Sequence, residues 1–161
     1  MPLNTHADFN YVYRIIKKAM TFKYQKEINY FTNQGAKMPI LKAISNKEAF
    51  RYVFAENIHN NHIPPHKLHP NRLEQQIKKG KVDLSGFALS NLETERQALA
   101  FYDFLRKTCK NVRKQIGDSL SFGNLTQEDG LITETDINGH FDLYESDSCD
   151  LSQNFTIVKS L

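Results

Sequence analysis

The sequence predicts an α+β fold in a single domain, residues 1–161. N-terminal helices pack on a C-terminal, mostly antiparallel sheet, and one long amphipathic helix, over about residues 92–116, lies across it. Three observations carry this. A length of 161 residues suits one domain. Apolar residues recur at helical spacing through most of the first two-thirds, whereas the last third is built from short alternating segments and turn signals. The charge divides near the same point: residues 1–114 hold 20 Lys and Arg against 9 Asp and Glu, and residues 115–161 hold 1 against 9. The chain thus reads as a basic, helix-rich part (1–116) and an acidic, strand-rich part (117–161).

The elements follow in order. Phe9, Val12, Ile16 and Met20 recur every three or four residues and predict a helix over 6–20, with Arg14, Lys17 and Lys18 on its opposite arc. Residues 21–33 fit neither period, and Asn33-Gln34-Gly35 reads as a helix end or turn. Pro39–Ile44 is a short strand candidate. Ser45-Asn-Lys-Glu48 is a capping box, which predicts a helix to about Ile58 with Phe50, Val53 and Phe54 inward. Residues 59–71 form a polar loop. His69-Pro70 opens a short helix that Gly80 stops.

Val82–Leu89 reads as a strand. Ser90-x-x-Glu93, a second capping box, opens the 92–116 helix. Ala98, Phe101, Leu105, Cys109, Val112 and Ile116 form its inward stripe, and Gly117 ends it. Ser119–Phe122 and Leu131–Ile137 are strand candidates. Asn138-Gly139 is a hairpin signal, since a type I′ turn needs two residues of positive φ. The returning strand runs His140–Glu145, and a last strand runs Asn154–Ser160.

Composition excludes several classes. With 40% apolar and 24% charged residues the chain buries a core and is neither disordered nor collagen-like. No apolar run approaches a membrane span. The start, Met1-Pro-Leu-Asn-Thr-His-Ala-Asp8, lacks the pattern of a signal peptide, so a cytoplasmic location with Cys109 and Cys149 reduced is expected. No phosphate-cradling glycine motif is present.

Two constellations stand out. His59, His62, His66 and His69 fall within eleven residues. Imidazoles that converge hold a transition metal such as zinc, although this spacing matches no zinc template and Pro64-Pro65 stiffens the loop. The second is cationic. Arg106, Lys110, Arg113 and Lys114 lie off the apolar stripe, and with Lys78, Lys79 and Lys81 they form a candidate binding surface for an anionic partner. No helix-turn-helix, zinc-finger or RNA-binding signature accompanies it.

Three weaker motifs complete the reading. Gly117-Asp118-Ser119-Leu120 spells the GDSL esterase motif but follows a basic helix and has no D-x-x-H partner behind it, so it reads as a helix cap entering a strand. Asp142, Glu145, Asp147 and Asp150 lack the layout of a calcium loop. Cys149 and His140 form a nucleophile–base pair only if the fold orients them. No complete catalytic set is visible. The expected function is a small binding module that engages a protein or anionic macromolecule through its basic surface, with no bound cofactor. The alternatives are a hydrolase or nuclease using the histidines of 59–69, and self-association of basic and acidic halves.

Overall fold

The computed structural model describes residues 20–161, so the helix expected over 6–20 lies outside the described residues but for Met20. The elements are α1 (Gln25–Asn33), β1 (Lys42–Ala43), β2 (Asn46–Val53), α2 (Pro65–Leu68), α3 (Pro70–Lys78), β3 (Leu89–Leu92), α4 (Glu95–Thr108), α5 (Val112–Gln115), β4 (Ser119–Thr126), β5 (Gly130–Ile132), β6 (His140–Glu145) and β7 (Thr156–Ser160). The strands form one antiparallel sheet in the order β1-β5-β6-β3-β2-β4-β7. The α+β class is as the sequence predicts. Among the described residues no helix is long and apolar enough to cross a membrane.

The capping box at Ser45 does not open a helix. Residues 46–53 are β2, paired with β4 from Asn46 opposite Thr126 to Val53 opposite Ser119. Ala49, Arg51 and Val53 face inward while Phe50 and Tyr52 lie on the opposite face, a period of two that suits this aromatic, partly β-branched segment. A cap contributes about 1 kcal/mol. An eight-residue ladder with two packed faces outweighs it.

Apolar groups cover the sheet on both sides. On one face Ala49, Leu89, Phe141 and Leu143 pack under Cys149, Leu151 and Phe155 of the segment before β7. On the other, α1 brings Ile28 and Phe31 onto Leu131 and Tyr144, while α4 brings Ala98 onto Leu92 and Leu120. Gly35 and Gly80, at φ +98° and +65°, follow the ends of α1 and α3.

The long helix is shorter than its periodicity predicts. Thr94, not Ser90, caps it by accepting a hydrogen bond from Gln97 N at 3.2 Å. It stops at Thr108, and Asn111 takes a left-handed conformation (φ +59°) before α5. Its buried side is Ala98 and Tyr102, whose hydroxyl donates to Gly117 O at 2.7 Å. Phe101 is left 37% exposed and Cys109 half-exposed, both of which the stripe had placed inside. The 82–89 strand is displaced too: Leu84–Phe87 is a short 3-10 turn, and pairing begins at Leu89.

The hairpin signal marks a turn one residue earlier than expected. Gly139 N donates to Asp136 O at 3.0 Å and Asp136 N donates to His140 O at 2.8 Å. Gly139 alone is left-handed (φ +82°), with Asn138 at negative φ. This is a type I turn closed by a left-handed glycine, not type I′. Strand β7 is exposed throughout and forms one edge of the sheet; Lys159 Nζ lies 3.6 Å from Glu95 Oε1 on α4.

Two substitutions test this account by urea unfolding. Thr94→Ala removes the cap of α4 and lowers stability by about 1 kcal/mol. Gly130→Ala places a Cβ 2.0 Å from Tyr144 O at φ +148°, and its expected loss is larger, roughly 3 kcal/mol.

Candidate anion site at the sheet seam

β2 and β4 share a full ladder, but β2 meets β3 at one pair, Phe50 opposite Leu92. Beyond that pair the strands part. The sheet is therefore two strand groups, β1-β5-β6-β3 and β2-β4-β7, joined at a seam. A cleft of about 330 Å³ opens there, walled by Arg51, Ser90 and Asn91 of the seam, His69 and Arg72 near the start of α3, and Phe101 of α4.

Arg51 is at the centre of the seam and only 9% exposed. Its Nε donates to His62 Nδ1 at 3.2 Å, and its Nη1 reaches across to the carbonyl of Ser90. Among the described residues, Nη2 has no acceptor and no carboxylate makes an ion pair with the guanidinium. Glu145, also buried, differs: Lys23 Nζ stands 2.9 Å from its Oε1. Burial lowers Arg51 from its ordinary value to about 10, opposed by the fields of Glu145 and Asp142, so the side chain is a cation at neutral pH. Taking such a charge out of water without a partner costs several kcal/mol. Beside it, the buried Asn91 donates from Nδ2 to Leu89 O at 2.7 Å, while its Oδ1 has no donor among the described residues.

His62 serves the same cation. Its φ of +58° is unusual for a side chain with a Cβ. Because Nδ1 accepts from Arg51, the ring proton belongs on Nε2. Burial, with Arg51 beside it, pushes His62 down to about 3.

A second polar group flanks the seam on β3 and β6. Ser90, exposed, sits opposite Asp142. His140 Nε2 lies 2.7 Å from Ser90 Oγ and 3.5 Å from Asp142 Oδ1. On the other side of the ring, His140 Nδ1 lies 4.0 Å from Asp136 Oδ2. Burial raises the Asp142 carboxyl, with His140 opposing.

The histidines expected to converge are dispersed instead. His59 is exposed in the turn Ile58–Asn60, and His62 binds Arg51. His66 is buried in the core, its Nε2 at 2.8 Å from Asp83 O and its ring edge-on to Phe87. Gly86 makes that seat, since a Cβ there would stand 2.1 Å from His66 Nε2. His69 is half-buried on the cleft wall, held below its ordinary value by burial and Arg72. Among the described residues no three His, Cys, Asp or Glu side chains are placed to hold a metal ion.

The cationic surface falls into two parts. Lys78, Lys79 and Lys81 are exposed at the end of α3, and Lys81 borders a separate cavity of about 520 Å³ with Phe31, Gly35 and Ile77. Arg106, Lys110, Arg113 and Lys114 are exposed around α4 and α5, next to Leu105 and Ile116 of the seam cleft. Arg106 lies 3.9 Å from Asp103, and Arg113 donates to Leu161 O. No described cavity takes in both parts.

Other motifs resolve simply. Ser119 is buried at the start of β4, its Oγ donating to Asp118 Oδ1 at 2.9 Å. Cys149 lies under the sheet, where burial pushes its thiol up to about 12, and it makes no pair with His140. Arg51, Ser90 and Asn91 were absent from the sequence-based candidates, and His140 entered them only as a base for Cys149 and, with Asp136, as a mis-spaced partner of the GDSL motif. The signal for Arg51 was a charge at an inward position of the alternating run Ala49–Val53, readable only once that run is a strand.

His62 makes stability pH-dependent in a defined direction. The folded chain holds it neutral down to about 3, whereas the unfolded chain protonates near 6.5. Its contribution is thus complete above the unfolded value and is lost as pH falls from there toward the folded value. In urea unfolding at about pH 7 and about pH 4.5, His62→Gln should lose less stability over the interval than the native chain. An equal loss would place the effect elsewhere.

Comparison of the chain with models of protein families, with curated proteins and with solved structures finds no match in any of the three.

Proposed function

We propose that this chain is a binding module for an anionic group, a carboxylate or phosphate carried by its partner, received in the seam cleft by Arg51. The observation that supports the reading is a buried guanidinium that has no carboxylate partner and no acceptor for Nη2 among the described residues, on a residue that lines the cleft. An anion there would form charge-assisted hydrogen bonds, which are stronger than neutral ones. Its acceptors would meet donors that the fold leaves idle. Arg72 stands on the same wall and can share the charge, and His69 beside it offers a neutral imidazole.

The exposed cations keep a role in this reading, but a different one. Arg106, Lys110 and Lys114 surround the α4–α5 side of the cleft and raise the local concentration of anions by long-range attraction, an effect that salt screens. Lys78, Lys79 and Lys81 stand at the end of α3, where Lys81 borders the other cavity, and are not part of the seat.

Thermal melting in phosphate or citrate, against sodium chloride of equal ionic strength, tests the reading. The expected result is a rise in melting temperature that chloride does not produce. The rise should vanish in Arg51→Gln, shrink in Arg51→Lys and persist when Lys78, Lys79 and Lys81 are all changed to Gln. An equal rise in chloride, or an undiminished one in Arg51→Gln, would overturn it.

A further inference from the structure

We infer that Ser90 is a nucleophile, with His140 as its general base, and that the seam cleft hydrolyses carboxylic esters. Three groups stand in sequence across the sheet face: the Asp136 carboxylate, the His140 ring and the Ser90 hydroxyl. Asp136 Oδ2 is 4.0 Å from His140 Nδ1, and Nε2 is 2.7 Å from Ser90 Oγ. A carboxylate behind the imidazole and a hydroxyl in front of it is the arrangement that activates a serine.

Each member is held by its own element. Ser90 is on β3, is exposed and is among the residues that line the cleft, while His140 and Asp136 stand beside it outside that lining. His140 opens β6, one diagonal away in the β3–β6 register. Asp136 is fixed by the turn, where its Oδ1 accepts from Asn138 N at 2.8 Å and His140 N at 3.0 Å. Those two bonds leave Oδ2 for the ring. With the proton on Nδ1, on the side of Asp136, the Nε2 lone pair accepts from the Ser90 hydroxyl. Asp142 Oδ1, at 3.5 Å from Nε2, adds a second negative charge beside the imidazolium that forms.

The chemistry balances with water as the only co-reactant. Ser90 Oγ attacks the ester carbonyl carbon while its proton passes to His140 Nε2. The C–O bond to the alcohol breaks, and the departing oxygen takes that proton. Water then attacks the acyl-Ser90 ester and gives a proton to Nε2, and Ser90 Oγ takes the proton back as the carboxylic acid leaves. The substrate class is an ester whose second, anionic group reaches Arg51. That last element rests on the binding reading above; the nucleophile does not.

A neutral alkyl fluorophosphonate is the probe. Ser90 Oγ displaces fluoride from phosphorus, His140 takes the hydroxyl proton, and the adduct stays on the chain. Mass spectrometry of the full chain should show one adduct, mapped to Ser90. It should be lost in Ser90→Ala and form about 100-fold more slowly in His140→Gln, with the melting temperatures of both variants near the native one. Asp136→Asn should slow labelling, because it removes one of the two carboxylates facing the ring, Asp142 being the other. No adduct, an adduct elsewhere, or undiminished labelling in His140→Gln would overturn the nucleophile. Citrate should also slow labelling of the native chain. If Ser90 is labelled and citrate has no effect, the anion reading fails and the nucleophile stands. If citrate raises the melting temperature and Ser90 is never labelled, the reverse holds.

Discussion

The contact between β2 and β3 constrains everything around it. The two strand groups of the sheet share one residue pair, Phe50 with Leu92, and a ladder that short cannot hold a sheet together by itself. The guanidinium of Arg51 supplies what the backbone does not. It is anchored on one side by His62 and on the other by the Ser90 carbonyl. A cation is thus built into a position where an antiparallel sheet ordinarily places paired amides. The cleft, the orphaned Asn91 oxygen and the exposed Ser90 hydroxyl all follow from the strands parting at that point.

Legibility in the sequence follows how local each signal is. The His140–Glu145 strand has the bounds its alternation implies, and Pro70 and Gly80 bracket α3 as helix punctuation should. These depend on residues a few positions apart. The segment 46–53 shows the opposite case. A helix cap at its start is a local preference, while its true partner, β4, lies about seventy residues further on and is invisible to any window. Missing that strand also hid Arg51, because a charge on a helix face is ordinary and a charge on the inward side of a central strand is not.

The histidines show the same limit. Closeness in sequence drew attention to residues 59–69, yet the fold uses their rings separately, one in solvent, one against Arg51, one over Gly86 and one on the cleft wall. The histidine with both a hydroxyl and carboxylates around it is His140, whose serine partner is fifty residues away. The Ser90–His140 contact is made across strands, where spacing along the sequence does not reveal it. The lysines and arginines of the expected basic surface are exposed but divide between the end of α3 and the α4–α5 region, a separation that no helical wheel could show.

One edge of the sheet has a meaning of its own. β7 offers five exposed residues, including Ile157 and Val158 at about half exposure, on a strand that has one side open among the described residues. Such an edge is a template on which further chains can add and fibres can grow. Lys159 lies in the middle of this hazard, its ammonium near Glu95 on the adjacent helix. An incoming strand would have to strip that cation of water and carboxylate alike. The one Lys or Arg of the acidic third thus stands on the strand where a further chain would add.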